Sequence, residues 1–302
     1  CTMTKNQAWI KALRLRTLPL SLSGIILGSF IAKFNGHWSL VIFTLAMLTT
    51  ILFQILSNFA NDLGDSLKGT DNSDRVGPLR SVQSGVISAH EMKIAILITA
   101  LLSAISAVSL IFIGTQNLPI SILWLYVGLA IASIIAAITY TIGKKAYGYN
   151  GFGDIMVFLF FGYVSVLGVY PLFAKTIEWN LLLPATCIGL LSTAVLNLNN
   201  MRDLLNDKNS NKKTFVVLIG GNAAKIYHAF LIMGGLICHY IFIAQLKHPI
   251  ANIGLVPGLV LIIHLRKVMQ TRDPKEFDPE LKKVALATFG IAVLTAIGLM
   301  IG

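Results

Sequence analysis

Two clusters of acids and amides stand out along this chain, Asn58, Asn61, Asp62 and Asp65 in the first and Asn200, Asp203 and Asp207 in the second. Residues three and four apart share a helix face, so each cluster reads as a polar stripe presenting two carboxylates in one direction. Carboxylates gathered in one place without counter-charge repel one another and take up protons. A hard divalent cation removes that conflict, and an oxygen-only donor set without His or Cys describes Mg²⁺ better than Zn²⁺. The neighbouring loops carry anion-binding groups: Lys68, Arg75 and Arg80 beside the first stripe, Arg202, Lys212 and Lys213 beside the second, and Lys144 and Lys145 between them. Guanidinium forks and ammonium charges next to Mg²⁺ suit a diphosphate. Taken singly, Lys145, Lys212 and Lys213 read more readily as membrane-surface anchors, whereas Arg80 and Arg202 lie inside the motif segments.

The elements that must position these groups are apolar. Of 302 residues, 55% are hydrophobic and only 12% charged, and the mean hydropathy is +0.76. A soluble domain carries about 25% charged residues, so the expected class is all-α, a polytopic membrane bundle of nine transmembrane helices with a polar cap. The spans fall at 17–32, 39–60, 92–113, 120–141, 154–173, 181–198, 226–245, 251–265 and 284–301. The eighth is short for a bilayer core and contains Pro257, so a kinked or tilted helix is expected there. With the N-terminus inside, every Lys and Arg except Lys33, Lys175 and Lys247 falls on the cytoplasmic side, which predicts N-terminus in and C-terminus out. The net charge of +11 is then an orientation signal and a diphosphate-friendly face, with nothing that suggests nucleic acid or sets an oligomeric state. The first apolar stretch lacks a small-residue cleavage pattern, so it is expected to remain as a span. Cys1, Cys187 and Cys238 show no paired spacing and read as packing residues.

Ionisable groups at the ends of such spans are expensive and functional by default. The polar segments 61–91 and 199–222 are long enough to be lids or binding loops. They follow the second and sixth spans. That equivalence suggests one domain, 1–302, built of pseudo-repeat halves, 14–150 and 151–302, with the site between them.

The run Asn-Asp-Leu-Gly-Asp-Ser-Leu-Lys-Gly-Thr-Asp at 61–71, Gly-Pro-Leu-Arg-Ser-Val-Gln-Ser-Gly at 77–85 and Asn-Asn-Met-Arg-Asp-Leu-Leu-Asn-Asp at 199–207 resemble the UbiA superfamily of intramembrane prenyltransferases. Similarity extends from Arg-Leu-Arg-Thr-Leu-Pro at 14–19 through Tyr-Thr-Ile-Gly-Lys-Lys at 140–145 and Gly-Phe-Gly-Asp-Ile-Met-Val-Phe at 151–158. Within the superfamily it leans toward the branch whose acceptor is 1,4-dihydroxy-2-naphthoate. The resemblance implies that Asp62 and Asp65 hold one Mg²⁺-diphosphate site and Asp203 and Asp207 the other, with Asn58 and Asn61 as helper ligands. It implies that Arg80 and Lys144 grip the diphosphate, assisted by Arg202, Lys68 and Arg14, and that Tyr140, Asp71 and Asp154 belong to the substrate site. Three positions depart from the family pattern. Leu63 replaces a common aromatic, Asp71 falls six residues after Asp65 where four is commoner, and Asn211 stands where a glycine often precedes the basic pair.

The implied reaction is prenyl transfer from a polyprenyl diphosphate to an aromatic acceptor. For 1,4-dihydroxy-2-naphthoate it is coupled to decarboxylation and gives a demethylmenaquinol at a bacterial cytoplasmic (inner) membrane, among membrane lipids, with the site facing the cytoplasm. An allylic cation needs a dry cavity with few nucleophiles. The run from Phe158 to Tyr163 could shield it with ring faces or simply pack. Asp154 could position or deprotonate the acceptor hydroxyl, or serve as a helix N-cap. Other acceptors of the superfamily, 4-hydroxybenzoate, homogentisate or haem, form the nearer alternative. A transporter with a one-sided divalent-cation site is the more distant one, disfavoured because a transport path would carry charge in both halves.

Overall fold

In a computed structural model, which describes residues 4–71, 76–77 and 80–301, every regular element among the described residues is a helix. Arg75 of the expected cation set lies outside the described residues. Nine segments among the described residues are long and apolar enough to cross a membrane: Lys5–Phe34, Leu40–Leu67, Ala89–Gly114, Ile120–Thr139, Gly153–Ala174, Trp179–Arg202, Gly221–Leu246, Pro249–Gln270 and Pro274–Ile301. Each contains or overlaps one expected span. The chain is a multi-pass membrane protein.

Local chemistry explains where the helices begin. A capping box of Thr4 and Gln7 starts α1 (Lys5–Leu13), and α2 (Leu18–Phe34) carries a proline in its first turn, where no N–H is needed. Ser39 caps α3 (Leu40–Leu67), and a second capping box, Ser88 with Glu91, opens α4 (Ala89–Gly114). After α5 (Ile120–Thr139), the fifth span joins α6 (Gly153–Val157), a π-helical stretch over Phe158–Val164 and α7 (Ser165–Ala174). The sixth span is α8 (Leu182–Arg202), followed by the short α9 (Leu204–Asn209) and α10 (Phe215–Ile219). Then come α11 (Gly221–Leu246), α12 (Val256–Gln270) and α13 (Phe277–Ile301).

Two spans differ from simple α-helices. Pro257 does not kink a helix interior; it sits in the first turn of α12, where the 3₁₀ segment Pro249–Leu255 gives way to α-helix. The π-helical stretch in the fifth span was not foreseen. Ser165 Oγ donates to the carbonyls of Phe161 and Gly162 there, partly replacing displaced backbone bonds. The wider turn brings Gly162 so close to α8 that a Cβ would lie 2.5 Å from the Ala185 carbonyl oxygen and 2.8 Å from Gly189 Cα. Lipid is as apolar as a side chain, so close backbone approach of this kind is what packs helices together in it.

The centre of the bundle is α8, whose Ile188, Leu191 and Leu198 are fully buried against α11 and α13. Leu97, Leu101, Val108 and Phe112 of α4 and Ile226, Phe230 and Ile237 of α11 are exposed, forming surfaces suited to hydrocarbon. Both motif helices, α3 and α8, end at the same end of the bundle. There α1, α9, α10 and the turn through residues 140–152 build the cap.

Candidate active site

Two contacts join the motif regions across the cap. Asn206 Nδ2 donates to the Thr70 carbonyl at 2.8 Å, and the Lys213 N–H donates to the Tyr149 carbonyl at 3.1 Å. Tyr149 is the joint. Its phenol donates to Asp65 Oδ1 at 2.8 Å and lies 2.6 Å from the Thr70 hydroxyl, while the Lys68 and Lys212 ammoniums stand 3.9 and 5.3 Å from its ring centroid. Burial and the nearby Asp65 charge push the phenol's pKa up, so it keeps the proton it donates. Burial pulls the Lys68 ammonium down, with Asp65 opposing.

Around this joint the acids are paired with cations. Arg80 reaches Asp65 Oδ2 at 3.4 Å through Nη2 and Asp71 Oδ1 at 3.6 Å through Nε. Asp71, with its unusual spacing, is thereby part of the Arg80 grip. Lys212 lies 3.6 Å from Asp207 and is itself largely buried, unlike a surface anchor. Burial pushes the Asp207 carboxyl up to about 6; Lys212 opposes this, while the charges of Asp203 and Asp65 add to it. One electrostatic field therefore spans both motifs. Asn211 takes φ +55°, the left-handed conformation that asparagine tolerates, so it turns the chain where relatives of the motif use glycine.

Beside this set, the Arg202 guanidinium holds Asp203 in a two-pronged pair at 2.9 and 2.6 Å, Asn199 Oδ1 at 2.9 Å and Asp278 Oδ1 of α13 at 2.5 Å. Arg16 approaches Asp278 at 3.9 Å. Arg202 is completely enclosed by these partners.

The other expected site residues make contacts of their own. Asp62 faces the loop before α4, its two oxygens accepting the N–H groups of Ser81 and Val82, each at 3.2 Å. Asn58 donates to the Leu13 carbonyl at 2.9 Å and accepts from Gln54, tying α3 to the end of α1. Asp154 lies buried in the first turn of α6, hydrogen-bonded to Tyr227 of α11. Lys144 is exposed on the turn after α5. Tyr140 packs edge-on against Tyr147 with centroids 5.2 Å apart, and Arg14, at φ +49°, lines the same cavity as Tyr140.

That cavity has a volume of about 520 Å³. Asn61, Asp65, Arg14, Arg80, Lys212 and Asp278 form its polar end, and Ile25, Leu110, Ile111, Val169 and Leu172 its apolar end, with Phe160 and Phe161 of the π-helical stretch on the wall between. Gly64 is required beside it: a Cβ would stand 2.5 Å from Thr141 Oγ1 and 2.9 Å from the Thr141 carbonyl carbon, so only glycine lets α3 meet the turn that carries Tyr140.

Asn61 Oδ1 and Asp207 Oδ2 are buried without a hydrogen-bond partner. Buried acceptors of this kind call for a ligand. With oxygens of Asp65 and Asp203 nearby and no His or Cys, the donor set fits a hard divalent cation. Among the described residues no three acidic, His or Cys side chains are already grouped as a metal cage; Asp65 is held by Tyr149 and Arg80, Asp207 by Lys212 and Asp203 by Arg202. Tyr149 and Asp278 did not stand out in the sequence. The only trace of Tyr149 is the glycine- and tyrosine-rich run at 147–153 on the same side as both motifs, and Asp278 looks like an ordinary acid in a first helical turn.

The fold and motifs have clear counterparts. The chain is 42% identical over 300 residues to a 1,4-dihydroxy-2-naphthoate octaprenyltransferase of Escherichia coli, covering 99% of this chain and 97% of that one. It is 40% identical to the enzyme of the same name from Haemophilus influenzae, over 99% and 97% of the two chains. Among solved structures, an apo UbiA homologue from Aeropyrum pernix superposes with a TM-score of 0.67 at 14% identity, over 95% and 98% of the chains. A UbiA homologue from Archaeoglobus fulgidus bound to DMAPP and Mg²⁺ gives 0.56 at 14% identity, over 96% and 99%. The pattern of the UbiA prenyltransferase family matches residues 21–299, nearly all of the bundle that surrounds the two-ended cavity, and the chain belongs to that family.

Proposed function

We propose that this protein transfers a polyprenyl group from an all-trans polyprenyl diphosphate to 1,4-dihydroxy-2-naphthoate, with loss of carbon dioxide, giving a demethylmenaquinol. The observation that carries the reading is one cavity that is charged at the end where the two motifs meet and apolar at the other. Its match to a diphosphate head and a hydrocarbon tail is joined by full-length similarity to two enzymes named for that acceptor. The asymmetry of Lys and Arg supports a charged end that faces the cytoplasm, and the proposed setting is a bacterial cytoplasmic membrane.

Asn61, Asp65, Asp203 and Asp207 would hold Mg²⁺, which when bound neutralises charge growing on the departing diphosphate oxygens. Asp62 serves from behind by fixing the loop that carries Arg80, and Asn58 by fixing the end of α1 near Arg14. Arg80, Lys68, Lys212 and Arg14 grip the diphosphate, and Tyr149 keeps Asp65 aimed. Lys144, exposed on its turn, and Arg202, now bound to Asp203 and Asp278, reach the diphosphate only after rearrangement.

The C1–O bond of the donor breaks with its electron pair going to the diphosphate. The carboxylate-bearing carbon of the acceptor bonds to C1, and the bond to the carboxylate breaks, returning its electron pair to the ring as carbon dioxide leaves. No ring proton has to be removed. Phe160 and Phe161 offer ring faces and no nucleophile to the transient allylic cation. Asp154, linked to Tyr227 and outside the cavity lining, supports the wall near Tyr140.

The test is turnover of purified protein in detergent with Mg²⁺, a polyprenyl diphosphate and, in separate reactions, 1,4-dihydroxy-2-naphthoate, 4-hydroxybenzoate and homogentisate. Only the naphthoate should yield prenylated, decarboxylated product. Product from another acceptor in its place refutes the assignment.

A further inference from the structure

A second set of ionisable groups lies outside the cavity, where α11, α12 and α13 meet. Lys283 Nζ donates to Glu280 Oε1 at 2.5 Å, His264 Nδ1 stands 2.6 Å from Glu280 Oε2, and His264 Nε2 stands 2.8 Å from His228 Nε2. His228, His264 and Glu280 are buried, and none of them lines the cavity. Glu280 accepts, so His264 Nδ1 carries a proton. Only one proton fits between the two Nε2 atoms, and His228 supplies it, which leaves His228 Nδ1 bare. That nitrogen is buried without a partner. With both rings neutral, Lys283 balances Glu280, and the row holds no uncompensated charge.

Ionisable side chains among membrane spans are costly and call for a role. This row ties α11 and α12 to the first turn of α13. Residues two apart in a helix point about 200° from one another. Glu280 therefore faces His264 of α12, while Asp278, Leu281 and Lys282 face the cavity. The turn is gripped from both sides, because Asp278 Oδ1 accepts from Arg202 at 2.5 Å. Arg202 is enclosed and shared between Asp278 and Asp203. When Asp203 turns to a metal ion, Arg202 keeps a carboxylate partner only if Asp278 stays in place. Otherwise a buried guanidinium is left unpaired, which is costly. Resting on the proposed function of Asp203, we infer that His228, His264 and Glu280 are positioning residues for the second motif. They hold Asp278 where it takes over Arg202 and so releases Asp203 to the metal ion.

The test is binding of Mn²⁺, in place of Mg²⁺, to the purified chain in detergent with inorganic pyrophosphate, free Mn²⁺ being read from its electron paramagnetic resonance signal. His264→Leu removes the link to Glu280, and the Kd for Mn²⁺ should rise about tenfold, the lower end of what a hydrogen bond to a charged group is worth. His264→Asn, whose amide N–H replaces that of Nδ1, should restore wild-type binding. Asp278→Asn should weaken binding as His264→Leu does, and the double variant should bind no worse than Asp278→Asn alone, because both changes act through one contact. A purely structural role would lower thermal stability without this pattern. An unchanged Kd in His264→Leu overturns the inference, and so does a double variant that multiplies the two single effects. If His264→Leu does not fold, Glu280→Gln, which keeps the volume and removes the charge, replaces it in the same cycle. Wild-type protein that binds no Mn²⁺ overturns the inference and the metal site together. Wild-type protein and variants that show the binding pattern, with no prenylation of any acceptor, uphold the inference and refute the proposed activity.

Discussion

Asp62 and Asp65 look interchangeable in the sequence, yet their contacts differ, and Asp62→Asn tests whether their roles do. Asp62 is 1% exposed and accepts two backbone N–H bonds, from Ser81 and Val82, each at 3.2 Å. An asparagine keeps one acceptor oxygen and turns an NH₂ toward the other amide. One bond to a charged acceptor is lost and one buried donor is orphaned, a cost of about 2 kcal/mol. That cost falls on the order of the loop that positions Arg80 two residues before Val82. At about 1.4 kcal/mol per factor of ten, the loop's grip on the donor should weaken roughly thirtyfold.

Steady-state kinetics then distinguish two outcomes. If Asp62 is a loop anchor, Asp62→Asn raises the KM for polyprenyl diphosphate by about that factor and leaves the half-saturating Mg²⁺ concentration near wild type. Asp65→Asn should do the reverse, shifting the Mg²⁺ requirement strongly. A Mg²⁺ shift in Asp62→Asn as large as that in Asp65→Asn, with the donor KM unmoved, would refute the loop-anchor reasoning and restore Asp62 as a direct ligand.

Tyr149→Phe removes the donor to Asp65 Oδ1 but keeps the ring under Lys68, so turnover should drop by about ten- to a hundredfold, the value of one hydrogen bond to a charged group, while the melting temperature in detergent changes little. Wild-type turnover would rule the phenol out as a positioning group. Gly64→Ala drives a Cβ against Thr141 and should destabilise the protein by about 1–3 kcal/mol, read as earlier thermal unfolding. Because the carboxyl of Asp207 is raised to about 6, the ligand-free fold binds its proton more tightly than the unfolded chain does; its contribution to stability falls as pH rises through about 6, and the affinity for Mg²⁺ falls as pH drops below it. Mg²⁺ titrations from pH 7.5 to 5.5, a range chosen to span about one and a half units above and half a unit below that value, should show this loss, and Asp207→Asn should abolish that arm of the profile.

The nine spans and the motif positions were legible because lipid permits so few solutions: long apolar helices, with charge left at their ends. What each acid does was not legible, for a geometric reason. Successive residues in a helix are about 100° apart, so Asn61 and Asp62 point to different sides of α3 while Asp65 lies between them, within about 40–60° of each. Spacing alone places all three on one broad stripe. Only the loop docking on one side shows that Asn61 looks into the cavity and Asp62 looks away from it. Tyr149 was hidden because its role depends on a turn folding back from the α5–α6 connection onto α3, a contact over a separation of 84 residues that no local pattern announces. The π-helical stretch was equally silent, since its residues Phe158 to Val164 are apolar throughout and suit an α-helix as well.

The pairing of charges at the cap constrains how substrate enters. Asp65 and Asp71 are held by Arg80, Asp207 by Lys212, and Asp203 and Asp278 by Arg202. The cations suited to a diphosphate are thus the ones now neutralising the acids suited to a metal ion. Freeing an acid alone would leave an unpaired cation in a buried setting, and freeing a cation alone would leave an unpaired acid; either is costly. Under the proposed function both sets are released together when a cation and an anion arrive as a pair, so Mg²⁺ and diphosphate would each raise the affinity for the other by the same factor. Arg202 shows the same logic, since its guanidinium, enclosed by Asp203, Asp278 and Asn199, neutralises Asp203 in a buried place. An acid cluster that would repel itself when empty is in this way charge-paired without its ligand, and the residues that pair it are those proposed to take hold of the substrate.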